Sequence, residues 1–191
     1  MVNWPTSEVA LRAVTEGDLA SFFEYQQDPA ARWMAAFTAK DPTDWAAFAA
    51  KWAKILGDEA GTARTIVCGG QPAGNVLSFV APWSAQREVS YWISREYWGQ
   101  GVATKALTAF IELLADRPLY ARAAADNIAS IRVLEKCGFI PIGRDRGFAD
   151  ARGEEVEEVV LELRAGGTGE GAAPDQPPEQ AGAAIFVSGT S

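Results

Sequence analysis

The chain has 191 residues, is 48% hydrophobic and carries a formal net charge of −8; it can bury one sizeable core, and it lacks the basic excess that a generic nucleic-acid partner requires. Two cysteines, Cys68 and Cys137, and no histidine exclude a Cys/His metal site and any histidine-based triad, so no metal is expected. The start MVNWPTSEVALR lacks the basic-then-apolar pattern of a signal peptide, and no apolar run approaches a membrane span, so a cytoplasmic protein without a membrane partner is expected.

EVALRAV (Glu8 to Val14) alternates and predicts a strand. TEGDLASFFEYQQDP then predicts a helix capped by Thr15, with Asp18 in its first turn, broken at Pro29. AARWMAAF reads as a second short helix. In DPTDWAAFAAKWAKILGD, residues Trp45, Phe48, Ala49, Trp52, Ile55 and Leu56 fall at helical spacing, closed by Gly57. The period then changes. ARTIVCGGQPAGNVLSFVA predicts two strands joined at Gly69-Gly70-Gln71-Pro72, and REVSYWIS (Arg87 to Ser94) predicts a third. A helix follows with Val102, Ala106, Leu107, Phe110, Leu113 and Leu114 on one face. PLYARAAA reads as a strand, DNIASIRVLEKCGF as a helix ending at Gly138, and FIPIGRDRGF with EEVEEVVLEL as a hairpin turning between Ala149 and Glu154. Both cysteines lie in apolar periodic surroundings and read as reduced, buried thiols.

Residues 1–164 therefore form one domain of the order β-α-α-α-β-β-β-α-β-α-β-β, an α/β (α+β) mixture around a mostly antiparallel sheet. Residues 165–191, rich in Gly, Ala, Pro and Gln, read as a flexible tail with a short apolar end, AIFVSG.

The stretch SREYWGQGVATKALTAFIELLAD sets Gly99 and Gly101 at the mouth of a helix, just after a strand. First-turn amides have no partner within a helix, and glycine lets an anion approach them without a Cβ in the way. A Walker loop is excluded, because Lys105 has neither the second glycine before it nor Ser/Thr after it. A dinucleotide fingerprint is excluded too, because Thr104 stands where a third glycine is required.

YWGQGVATKAL, together with NIASIRVLEKCGF and the preceding EVSYWIS, resembles the GNAT superfamily of acetyl-CoA-dependent N-acetyltransferases, in its RimJ/RimL-like branch. The pyrophosphate motif is matched from Trp98 to Ala103, with Trp98 where Gln or Arg is usual. The second motif is matched at Asn127, Ser130, Val133, Leu134, Glu135, Lys136, Gly138 and Phe139. The resemblance implies a GNAT-like sheet whose two central strands splay, with flanking helices. It implies that acetyl-CoA lies along the backbone of Val89, Tyr91 and Ile93. Its pyrophosphate would rest on the amides of Gln100 to Ala103, within a cradle of Trp98, Gly99, Gln100, Gly101, Val102, Ala103 and Thr104, and Asn127 and Ser130 would hold the arm from the far side.

Acetyl transfer to an amine needs a neutral amine, an oxyanion donor and a proton for the departing thiolate. A lysine-like amine, with a pKa of about 10.4, needs far more help to deprotonate than an α-amine near about 7.8. Without histidine the base is a carboxylate acting through water, or water alone; Glu88 is the candidate, against the alternative of a solvated strand-end charge. Many members of the family place a tyrosine acid where Leu134 stands, so Ser130 is the candidate acid, against the alternative of a helix-start hydroxyl bonded to backbone. The oxyanion donor is a strand amide near Ile93. Among the tryptophans, Trp33 and Trp83 are the candidates for acceptor binding, because each lies in a segment of loop character. The acceptor is expected to be a small-molecule amine or a protein N-terminus, and the protein a monomer or homodimer. The alternative function is a non-catalytic acyl-CoA-binding or sensing domain of the same fold.

Overall fold

A computed structural model describes residues 8–165 of the chain. The strands are β1 (Val9–Arg12), β2 (Thr62–Cys68), β3 (Gln71–Val80), β4 (Arg87–Ile93), β5 (Leu119–Ala124), β6 (Ile140–Ala149) and β7 (Glu154–Leu163). The helices are α1 (Glu16–Tyr25), α2 (Pro29–Ala35), α3 (Trp45–Gly57), α4 (Val102–Glu112) and α5 (Ile128–Lys136). The strands form one sheet in the order β1-β2-β3-β4-β5-β7-β6. Every neighbouring pair is antiparallel except β4 and β5, which are parallel and meet in register at Glu88 and Tyr120. This is the mixed, mostly antiparallel architecture that the pattern of periods predicted. The tail from residue 166 onward, with AIFVSG, lies outside the described residues.

The two-residue period of the strands sorts side chains to two faces. On β4, Val89, Tyr91 and Ile93 belong to a core shared with α4 and α5, whose largest members include Phe110, Leu107, Leu134 and Phe139. Glu88, Ser90 and Trp92 point to the opposite face. Their register partners on β3 are Phe79, Leu77 and Asn75, and Leu77 packs with Phe22, Phe48 and Trp52 of α1 and α3. Each face buries large apolar side chains, which favours this one register, because a one-residue slip would exchange the two sets.

Short polar residues set where the helices begin. The Asp28 carboxylate accepts from the Ala31 amide at 2.8 Å with Pro29 at the first helical position, and Asp44 accepts from Ala47 at 2.9 Å. Two local expectations are modified. Gln71 and Pro72 belong to β3 rather than to the turn, which is confined to Gly69 and Gly70. Pro72 is tolerated there because the β2–β3 register shifts between Ile66 and Val67, beside it. The thiols are unbridged, Cys68 buried and Cys137 half-buried, with the Cys137 sulfur 3.6 Å from the Thr108 hydroxyl.

Asp18 joins the first strand, the first helix and the sheet. It is 2% exposed. Its carboxylate accepts two bonds from Arg12 at 2.6 Å each, one each from the Thr15 amide and hydroxyl at 2.8 Å, and one from the Thr65 hydroxyl at 2.9 Å. The Arg12 bonds above all, opposed by burial and aided by the two threonines, hold this carboxyl well below the usual range. A depressed native pKa contributes stability that is present above the unfolded value near about 4 and is lost as pH falls through the native value. Asp18→Asn should therefore cost about 2–3 kcal/mol at pH 7 and flatten the loss of stability on acidification. Urea unfolding at neutral and acidic pH checks both; an unchanged acid limb would remove Asp18 from this role.

Candidate active site

A cavity of about 1190 Å³ has lining residues on both faces of the sheet, at the place where β4 and β5 part. From the α4–α5 face it is lined by Tyr91, Val102, Ala103, Thr104, Asn127 and Ser130, and from the other face by Phe79, Glu88, Ser90, Trp92, Arg122 and Glu158. Met34, Phe37, Phe48, Lys51 and Ile55 of the α2–α3 region wall the second chamber. With only Glu88 and Tyr120 in register, the ladder between β4 and β5 is lost toward the C-terminal end of β4.

The α4 mouth is open. Gly99 and Gly101 have φ of 72° and 75°, in the left-handed region, and a Cβ added at either would meet nothing within 4 Å. The backbone conformation requires glycine, and the space before it is unfilled by protein. The Lys105 amide bonds the Gly101 carbonyl at 3.1 Å, so the amides of Val102, Ala103 and Thr104 precede the helical ladder. These amides, with the helix dipole, suit an anion. Trp98 lines the cavity and donates its indole N–H to the Ile93 carbonyl at 2.9 Å, bracing the end of β4. Gln100 stands outside the lining, its side-chain amide donating to the Glu96 carbonyl at 2.6 Å.

Across the gap, the Tyr91 and Ser130 hydroxyls lie 2.8 Å apart. Burial pushes the Tyr91 phenol up to about 12, so it stays protonated at neutral pH and can donate to Ser130. Asn127 accepts from the Ser130 amide at 3.1 Å, starting α5, and donates to the Met34 carbonyl at 2.9 Å, tying α2 to α5. Leu134, 2% exposed, is a core residue and supplies no polar group.

Glu88 is not a solvated strand-end charge: it is 3% exposed. Arg122 donates to it through Nε at 3.2 Å and to Asp145 at 2.8 Å, and its guanidinium lies 3.8 Å from Glu158. Burial raises the Glu88 pKa, while Arg122 and, more weakly, the nearby Trp83 indole oppose the rise. The result is a more basic carboxylate than an ordinary glutamate, facing the cavity.

Neither tryptophan expected to bind the acceptor lines this cavity. On α2, Met34 and Ala35 face inward, which turns Trp33 outward; it is 52% exposed, with the Arg152 guanidinium 5.0 Å from its ring. Trp83 packs edge-on against Phe79 with ring centroids 6.5 Å apart. The chamber instead takes Trp92 from β4. Arg122, Glu158 and Lys51 were missed. An arginine among the alanines of PLYARAAA, in a central strand, was the available signal for the first.

The acetyltransferase (GNAT) domain model matches residues 8–140, and the chain belongs to that family. Its fold is shared with solved structures of low sequence identity. The aminoglycoside acetyltransferase AAC(6')-Ib, in complex with ribostamycin and coenzyme A, is 22% identical, with 83% of this chain and 94% of that chain covered and a TM-score of 0.68. Spermidine N-acetyltransferase from Vibrio cholerae, in complex with CoA and spermine, is 19% identical, with 82% and 96% covered and a TM-score of 0.66. The microcin C7 self-immunity acetyltransferase MccE, in complex with acetyl-CoA and AMP, is 15% identical, with 83% and 93% covered and a TM-score of 0.69. Comparison with curated protein sequences finds no match.

The Arg122 cluster has a measurable signature. Removing the guanidinium leaves Glu88 and Glu158 buried together, so Arg122→Met should destabilise the fold by about 3–5 kcal/mol at pH 7. Without the guanidinium the Glu88 pKa rises further above its unfolded value, so the lost stability should partly return as pH is lowered toward about 5. Urea unfolding at the two pH values checks this; an equal loss at both would show that Arg122 does not neutralise the pair.

Proposed function

We propose that the chain transfers an acetyl group from acetyl-CoA to a primary amine by direct attack, as a member of the RimJ/RimL-like branch. The observation that carries this reading is the through-sheet cavity, which joins an open anion-binding helix mouth to an acidic chamber. The residues fit the cosubstrate: the open cradle at Gly99 and Gly101 suits a pyrophosphate. Val89, Tyr91 and Ile93 place a strand edge beside it. Acetyl-CoA supplies the activated acyl group when bound.

The chain's own groups divide the proton work. Glu88, made more basic by burial, receives the acceptor proton through water in the second chamber. Ser130 gives a proton to the leaving sulfur and is resupplied by the Tyr91 phenol at 2.8 Å. The β4 backbone near Ile93 offers the oxyanion donor. The α2–α3 wall encloses the chamber, which favours a small-molecule amine over a protein N-terminus. A monomer or homodimer in the cytoplasm, with access to acetyl-CoA, fits this reading. The second reading, an acyl-CoA-binding or sensing domain, is favoured only by Leu134, which leaves the family's frequent tyrosine acid absent. Release of CoA thiol across polyamines, amino acids, aminoglycosides and N-terminal peptides separates the two; binding of acetyl-CoA without release on any amine would establish the second.

Gly101→Ala should weaken acetyl-CoA binding by about tenfold or more, because the new methyl enters the phosphate space. Gly70→Ala is the control: its φ is 80°, nothing lies within 4 Å of its Cβ, and it sits at the β2–β3 turn. Both variants should lose a similar ~1–2 kcal/mol of stability, but only the first should lose affinity by calorimetry. Equal affinities would sink the phosphate assignment.

Ser130→Ala should lower kcat by about 10²–10⁴-fold with little change in acetyl-CoA affinity. Glu88→Gln should slow a high-pKa amine more than an α-amine, because only the former needs substantial proton removal. A near-normal kcat in the first variant, or equal losses on both amines in the second, would remove that residue from its role.

A further inference from the structure

The acceptor chamber already contains a primary amine of its own. Lys51 is half-buried on α3 and lines the cavity with Phe48 and Ile55, one helical turn to either side. It lies on the face of the sheet reached by Glu88, not on the side of the α4 mouth. Phe48 and Trp52, which flank it, pack against Leu77 of β3, and Leu77 pairs with Ser90 of β4. Lys51 thus lines the same continuous cavity as Glu88 and the two glycines of the α4 mouth.

We infer that Lys51 is a site of self-acetylation, taking the acetyl group in cis from acetyl-CoA seated at the α4 mouth of the same chain. The inference rests on the acetyl-CoA reading above. The step balances: the Nζ lone pair forms a bond to the thioester carbonyl carbon, the carbon–sulfur bond breaks, and the proton released by nitrogen passes to the departing thiolate. The products are an amide on Lys51 and CoA thiol, with no further reactant.

The electrostatics agree with the geometry. Burial lowers the Lys51 pKa to about 7. At pH 7.4 such a group holds on the order of a thousand times more neutral amine than an ordinary lysine of pKa about 10.4. The charged groups lining the same chamber are Lys54 on its own helix, Asp44 and Asp58 flanking that helix, and Glu88, Arg122 and Glu158 on the sheet. Lys40 and Asp41 lie at the entry to α3. Lys54, exposed in the last turn of the same helix, is the internal reference. The product would be a neutral amide occupying the acceptor chamber, so modification should also lower the rate on added amines.

The test incubates the full chain with acetyl-CoA and no added amine, followed by intact mass and peptide mapping. One acetyl group should appear at Lys51, with an initial rate about tenfold or more above that at Lys54, first order and independent of protein concentration. The rate should rise from about pH 6 and level off above about pH 8, as the amine becomes neutral. Lys51→Arg should abolish the fast phase, and Gly101→Ala should slow it at subsaturating acetyl-CoA. Modification no faster than at Lys54, a rate proportional to protein concentration, or insensitivity to Gly101→Ala would overturn the inference. If the chain turns over added amines while Lys51 stays unmodified, self-acetylation is wrong and the transferase reading stands. If it neither binds acetyl-CoA nor turns over, both fall.

Discussion

The structure depends on an interruption. A sheet is held by continuous exchange of hydrogen bonds between neighbouring strands, and here that exchange stops between β4 and β5 beyond Glu88 and Tyr120. Backbone groups left without a neighbour need another partner, which gives the free edge of β4 an inherent appetite for an extended polar ligand. The same interruption connects the two faces. Without it, the α4 mouth and the Glu88 chamber would be separate depressions on opposite sides of a closed sheet. The flanking strands remain fully paired, β3 with β4 and β5 with β7, so the opening is confined to one seam of an otherwise continuous scaffold.

The charge arrangement follows from where that seam lies. Residues pointing to the α1–α3 face at the seam are Glu88 from β4, Arg122 from β5 and Glu158 from β7, a row across three strands. A single guanidinium, 8% exposed at its side chain, serves three carboxylates at once. The surplus on this sheet wall is negative, while the facing α3 wall sets Lys51 and Lys54 beside Asp44 and Asp58. An ammonium group entering such a space exchanges water for carboxylates, whereas an anion finds no comparable counterpart on the sheet side. On the far side of the seam the preference is reversed, because helix-start amides present positive ends. The two chambers thus differ in the sign of what they attract, and the sheet keeps those preferences apart.

Much of this architecture was readable in the residues because it rests on local periodicity. Among the described residues, the seven strands and five α-helices follow from shifts between periods of two and about 3.6 together with end signals such as Thr15, Gly57 and Gly138. The helix-mouth glycines were legible for a similar reason, since a left-handed backbone just before a helix depends on neighbours in sequence. What could not be read were pairings between elements distant in the chain. Arg122 meets Glu88 and Asp145 only after β5 is inserted between β4 and β7, and Tyr91 meets Ser130 only when α5 packs over β4. Trp33 lies off the cavity, and loop character says nothing of which way a short helix will face. Met34, its neighbour, took the inward position.

Asn127 has one more consequence. Its side-chain amide spans the start of α5, on the Ser130 side of the seam, and the Met34 carbonyl at the edge of the second chamber. Arg152 reinforces the same span from outside, donating to the Trp33 carbonyl at 2.9 Å and to the Asp126 carboxylate at 2.7 Å and 3.0 Å. The wall of one compartment is therefore hung from the wall of the other. Occupancy that displaces α2 is felt at α5, and thermodynamic reciprocity requires the converse by the same factor. In such an arrangement each compartment senses the other's occupant equally, through a strut that belongs to neither alone.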